Sequence, residues 1–249
     1  MSGQSVRVLL YHSISDDQCD PYAVPLPLFR EHMSVLARSG VPVVSCSQLL
    51  AALEGAKPMH RAVCITFDDG LDDFATSALP VLREHRFVSA LFVCTALVSS
   101  NGMWPSWSGH RSFLDWASLT EFLDAEVEIG SHSSTHVRLG DLDESALVEE
   151  LCRSQTDLAS HLERYLDVVA SPFGDHSPLV RTVARDVGYR AGFTVGGLWG
   201  NRRGTDRFAL KRILITRDVQ PKQLEKIVRG THDVTRAIPA SLAPYFRRT

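Results

Sequence analysis

Two stretches of the sequence gather groups that could do chemistry. "CITFDDG", Cys64 to Gly70, ends an apolar run in adjacent carboxylates, Asp68 and Asp69. "SHSSTH", from Ser131, spaces His132 and His136 four residues apart. On a helical turn that spacing puts both imidazoles on one side, where they can bind one cation. A His, His, Asp set leaves an open coordination position, as catalytic zinc sites require. Water in such a position becomes acidic and a bound carbonyl is polarised. The remaining Asp, near the cation but not on it, can accept the proton of an attacking water. Each stretch alone has a plainer account, as solvent-facing histidines or as a turn with a helix cap. Strands precede both, and together they favour a metal.

The elements that must position these residues are legible as an alternation. The strand candidates are "VRVLLY", "VPVVS", "AVCITF", "SALFVC", "VEIGS", "DVVAS", "AGFTV" and "LKRILI". Amphipathic stretches lie between them. "PLFREHMSVLARSG" opens on proline and closes on Gly40, the asymmetry expected of helix ends. "DDFATSALPVLREH" has acidic residues at its start and Pro80 in mid-pattern, predicting a kink or a nearby first turn. Leu147, Leu151, Leu158 and Leu162 give the longest helix one buried face. The βαβα order predicts parallel strands with crossover helices, and seven or eight units at this length favour a closed barrel. In such a barrel the carboxyl ends of the strands share one face, where active sites lie. After the first strand comes His12, after the third Asp68 and Asp69, after the fifth His132 and His136, after the sixth His176.

Bulk properties narrow the partners. The 249 residues carry a formal charge of −3, which gives no reason to expect a nucleic-acid or anionic-membrane partner. Five cysteines without a CxxC pair suggest a reducing compartment and no disulfide framework. The opening residues lack the features of a signal peptide, and no run reaches the ~20 apolar residues of a membrane span. A cytoplasmic location is the expectation. Organisation is read as one catalytic domain over 1–230 and a tail over 231–249 without clear periodicity.

"ITFDDG", "SHSSTH" and "SPFG", in that order, resemble the first three motifs of the polysaccharide deacetylases, the NodB-homology group of carbohydrate esterase family 4. "LLYHSIS" is similar to the opening of the subgroup whose first strand ends in a Tyr-His pair. The resemblance runs from about Val6 to about Ile215. It implies a distorted (β/α) barrel of about seven strands. It implies Asp68 as general base and Asp69, His132 and His136 as ligands of one divalent metal, zinc first, with cobalt, nickel or iron as alternatives. Pro172, Phe173 and Gly174 would line the groove, with the Phe173 N–H as a donor to the oxyanion. The implied substrate is an N-acetylated amino sugar, with acetate released.

Three departures stand out. Many members carry an arginine at the position of Ala170 to orient the catalytic Asp, and here it is absent. The fourth motif lacks a convincing match, Trp199 being only suggestive. The fifth normally supplies an acid histidine near the C-terminus, yet "LKRILITRD" has none and His232 comes too late. His12 is the first candidate for that acid and His176 the second; the plainer reading of His12 is a packed histidine that orients a ligand. Trp104, Trp107, Phe113 and Trp116 could form a wall of the groove or merely pack a long loop. A same-fold hydrolase of a non-sugar amide, imide or ester is the alternative activity, and a non-catalytic sugar-binding barrel the alternative class.

Overall fold

The computed structural model describes residues 5–55, 61–103, 110–123, 127–197 and 200–231. In chain order the elements are β1 (Val6–Tyr11), α1 (Leu26–Ser39), α2 (Cys46–Leu53), β2 (Ala62–Phe67), α3 (Leu79–His85), β3 (Ser89–Val93), β4 (Asn101–Met103), β5 (His110–Ser112), α4 (Trp116–Leu123), β6 (Val127–Ser131), α5 (Glu144–His161), β7 (Leu166–Ala170), α6 (Pro178–Asp186), β8 (Ala191–Val195), β9 (Leu210–Leu214) and α7 (Pro221–Arg229). Seven strands close a parallel barrel in the order β1-β2-β3-β6-β7-β8-β9, and β9 returns to β1 through Val8 opposite Arg212. The expected (β/α)7-type barrel is therefore the fold. The strands β4 and β5 form a separate antiparallel pair.

One candidate strand is absent. "VPVVS" makes only an isolated bridge, Val43 to Val63. Pro42 offers no N–H to a ladder, and Ser45 already turns the chain by capping α2. Pro80 is accommodated by a wide turn. Phe74–Ala78 is π-helical, and the Leu79 N–H reaches back to the Phe74 carbonyl just before α3 begins. Asp115 caps α4 by accepting the Ser118 N–H at 2.8 Å.

The strand period sorts side chains between two cores. Val8, Cys64, Phe92, Val168 and Phe193 fill the barrel interior, with Leu49 and Leu50 of α2 packed against them. Leu9, Ile65, Phe67, Leu91 and Ile129 face outward to α1, α3 and α7. A third cluster joins Leu147 and Leu151 of α5 to Val180 and Val183 of α6. Gly130 is required by this packing, because a Cβ there would lie 2.6 Å from the Phe92 ring. Followed upward, the inward parity passes through Leu10 to His12, Thr66 to Asp68 and Gly130 to His132. Among the described residues no helix is long and apolar enough to cross a membrane.

Candidate active site

The alternation of the strands delivers Asp68 and His132 to the barrel mouth; a break in it delivers Asp69. Adjacent residues of an extended strand point to opposite faces. Asp69 adopts φ 78, a left-handed conformation rare for a non-glycine residue, and Gly70 follows at φ 80. The turn brings the second carboxylate back to the mouth beside the first. Asp69 Oδ1 lies 3.4 Å from His132 Nε2 and 3.5 Å from His136 Nε2. The two histidines do not share a helical turn. They stand on a loop in which Ser133 and His136 are left-handed, φ 63 and 60, and their rings converge to 5.1 Å between centroids. Serine hydroxyls hold that loop: Ser131 Oγ accepts the Ser133 N–H and Ser133 Oγ accepts the His136 N–H, both at 3.1 Å.

These residues fit a divalent cation. One atom each from Asp69, His132 and His136 lies within 4.8 Å of the others. Asp69 Oδ1 is buried and accepts no hydrogen bond, an expensive state for a carboxylate oxygen without a ligand. His132 Nδ1 donates to the Ala170 carbonyl at 2.6 Å, which turns Nε2 toward Asp69 as the nitrogen that a cation would take. Burial lowers the His136 pKa to about 4, against the pull of Asp69, so its imidazole is neutral at neutral pH. Burial alone would raise the Asp69 carboxyl. Positive charge on His132, whose pKa the two carboxylates raise, outweighs it and holds Asp69 ionised.

Asp68 has a different partner. Its oxygens take two parallel bonds from Arg212, Nη1 to Oδ1 at 2.6 Å and Nη2 to Oδ2 at 2.7 Å. Both side chains are buried, at 0% and 2% exposure. Burial pushes the Asp68 carboxyl up, and Arg212, with His132, brings it below the usual range. The arginine missing at Ala170 thus has a substitute on β9. It lies in the barrel between the rings of Phe92 and Phe193, 5.7 and 5.6 Å from their centroids. Its signal in the sequence was parity. In "LKRIL", Arg212 shares the inward face with Leu210 and Leu214, while Lys211 is exposed.

The remaining candidates separate. His12 follows β1; its ring stacks on Tyr22 at 4.6 Å, and its Nδ1 is buried without a hydrogen bond. A positive charge on His12 would help to keep Asp68 and Asp69 ionised. Phe173 is left-handed, φ 59, with its ring 4.9 Å from His136 and 4.0 Å beneath the Arg138 guanidinium. Pro172 and Gly174 are buried on either side of it. Gly174 has φ 76, and a Cβ there would approach the Val195 nitrogen to 2.9 Å. His176 is tied to the Gly174 carbonyl at 3.0 Å and lines a cavity of about 480 Å³ with Arg138, Asp175 and Arg181. That cavity is lined by none of Asp68, Asp69, His132 and His136. Trp104, Trp107, Trp199 and His232 lie outside the described residues. Phe113 packs with Leu71 and Cys94, and Trp116 stacks on His161 at 4.1 Å.

Fold and cluster define a parallel barrel protein with a candidate metal centre at its carboxyl-end mouth. Residues 55–192 match the polysaccharide deacetylase family, and the chain belongs to it. A Bacillus subtilis (strain 168) protein named as a polysaccharide deacetylase, YxkH, is 26% identical over 188 residues, 75% of this chain and 63% of YxkH. The poly-β-1,6-N-acetyl-D-glucosamine N-deacetylase of Escherichia coli (strain K12) is 32% identical over 80 residues, 31% of this chain and 12% of that protein. The chain thus spans less than two thirds of the length of either relative. Among solved structures, IcaB of Ammonifex degensii aligns with a TM-score of 0.80 at 24% identity, over 92% of this chain and 98% of that one.

Proposed function

We propose that the chain is a metal-dependent N-deacetylase that hydrolyses the acetamide of an N-acetylated amino sugar and releases acetate. One observation carries this reading. Asp69 Oδ1, buried and without a hydrogen bond, faces two histidine nitrogens, while the neighbouring carboxylate, 3.7 Å from His132 Nε2, is engaged by an arginine. Two adjacent acids in unlike surroundings are suited to unlike roles. The similarity to a named N-acetylglucosamine polymer deacetylase supports the substrate class.

Asp69, His132 and His136 would hold the ion. Bound there, a divalent cation such as zinc would supply Lewis acidity toward the acetamide carbonyl and lower the pKa of water. Asp68 accepts the proton of the attacking water, and Arg212 keeps it ionised and aimed. The Phe173 N–H donates to the oxygen on which charge develops. His12 donates the proton that the departing amine requires. Pro172 and Gly174 shape the groove beside Phe173, and the same reading gives Trp104, Trp199 and His176 contacts with the sugar.

The test is acetate release from N-acetylglucosamine oligomers by the purified chain, with metal content determined in parallel. Bound metal with acetate release that a chelator abolishes is the expected result. Hydrolysis of aryl esters or cyclic imides alone would defeat the sugar reading. A protein that takes up no metal would defeat the metal reading.

A further inference from the structure

We propose that Glu150 of α5 is a positioning residue for the histidine loop, fixing the backbone between His132 and His136. The inference rests on the metal-binding reading above. Glu150 belongs to a stripe with Ser154 and Asp157, at i, i+4 and i+7, along one face of α5. Its Oε1 accepts the Ser134 N–H at 2.9 Å, the Thr135 N–H at 2.6 Å and the Thr135 hydroxyl at 3.0 Å; Oε2 is 3.1 Å from that hydroxyl. Two successive backbone N–H groups aimed at one oxygen form an anion-binding nest, and the carboxylate that fills it comes from the protein itself. Below it, Ser154, fully buried, donates to the Ser133 carbonyl at 3.1 Å and lies 2.8 Å from Ser131 Oγ. Asp157 accepts the Thr95 hydroxyl at 2.7 Å, and the Thr95 and Ala96 N–H groups bond the Ser133 and Ser134 carbonyls.

The need for such a clamp is local. Ser133 and His136 both sit in left-handed conformations, which persist only where surrounding contacts over-determine them. Those turns set the His136 ring toward Asp69. Glu150 is outside the cluster of Asp69, His132 and His136, so it acts through the loop backbone. Without its carboxylate, Ser134 and Thr135 lose their acceptor and the loop can relax to commoner angles. His136 would then have to be drawn back into place at the expense of metal affinity.

The experiment measures zinc affinity of the full chain by competition with a chromophoric chelator, with amide exchange across 131–136 followed in the same variants. Glu150→Ala is expected to bind zinc roughly 10–100-fold more weakly and to lose amide protection at Ser134 and Thr135. Glu150→Gln, which keeps an acceptor oxygen for both N–H groups, is expected to stay within about threefold of wild type. Glu150→Asp, which withdraws the carboxylate by one methylene, is expected to weaken zinc about tenfold and serves if the alanine variant does not fold. Unchanged zinc affinity in the folded alanine or aspartate variant, even with a lower Tm, overturns the inference and leaves the metal reading intact. A glutamine variant as weak as alanine overturns the acceptor geometry. Wild-type protein that binds no zinc overturns both the inference and the reading beneath it.

Discussion

Arg212 and Asp68, 144 residues apart, meet as a two-bond ion pair inside the barrel. Strand closure makes the contact possible, since β9 pairs with β1 and β1 with β2. A charge pair this deeply buried is costly to form and damaging to break. Beneath a candidate metal cluster, the pair keeps one carboxylate ionised and pointed while the adjacent one faces the histidines.

Replacing Arg212 therefore separates charge from geometry. Arg212→Met leaves Asp68 buried and unpaired and should cost about 3–5 kcal/mol of stability. It should also raise the Asp68 pKa, since burial then acts without its main opponent. Arg212→Lys keeps the charge but cannot make the two-bond fork. It should retain more stability than Arg212→Met, yet lose kcat with metal content unchanged. Urea denaturation, metal analysis and the acid limb of the rate profile check this. An acid limb that stays in place in Arg212→Met would show that the arginine does not govern Asp68.

His136 gives the metal-free protein a pH-dependent stability. Its pKa falls from 6.5 to about 4 on burial, so the unfolded chain binds a proton that the folded chain refuses. Stability from this group is full above pH 6.5 and is lost as pH falls toward 4. At 1.36 kcal/mol per unit, the loss is on the order of 3 kcal/mol. Denaturation of chelator-treated protein at pH 7 and pH 5 should show about 2 kcal/mol of it. His136→Asn should flatten the difference; an equal drop in that variant would assign the dependence elsewhere.

Much of this arrangement could be read from the sequence, because period and punctuation carry it. The inward parity of "AVCITFDD" and "VEIGSH" follows from strand geometry, and the barrel follows from the βαβ alternation. Arg212 is not legible in the sequence because its partner lies 144 residues away, and only strand closure brings the two together. Its parity with Leu210 and Leu214 was the available signal, since an arginine on an apolar face must find a partner. The non-helical course from Ser131 to His136 is hidden for another reason. It depends on Glu150 and Ser154 of α5, which no local pattern in "SHSSTH" announces. The bridge at Val43 shows the opposite error, a β-branched run that a proline and a helix cap keep out of the sheet.

Asp68 and Asp69 should part company under the same substitution. Asp68→Asn removes the proton acceptor and should cut kcat by about 10²–10⁴ while metal content stays near that of wild type. Asp69→Asn removes the carboxylate between the two histidines and should lower metal affinity first, with activity partly restored by added zinc. Metal analysis after dialysis, paired with acetate release, distinguishes the two. Loss of metal in Asp68→Asn with retention in Asp69→Asn would reverse the assignment.

His12 is tested by the leaving group. Its buried Nδ1 makes no hydrogen bond and its ring rests on Tyr22, a placement that fits either a proton donor or a packed support. An amine is a poor leaving group and needs a proton as the C–N bond breaks. An activated aryl ester expels a stable phenolate and does not. If His12 is the acid, His12→Gln should lower amide hydrolysis by about 10²–10⁴ but aryl-ester hydrolysis by less than about tenfold. Equal losses on both substrates would assign His12 to supporting the site through Tyr22 and leave the proton to another group.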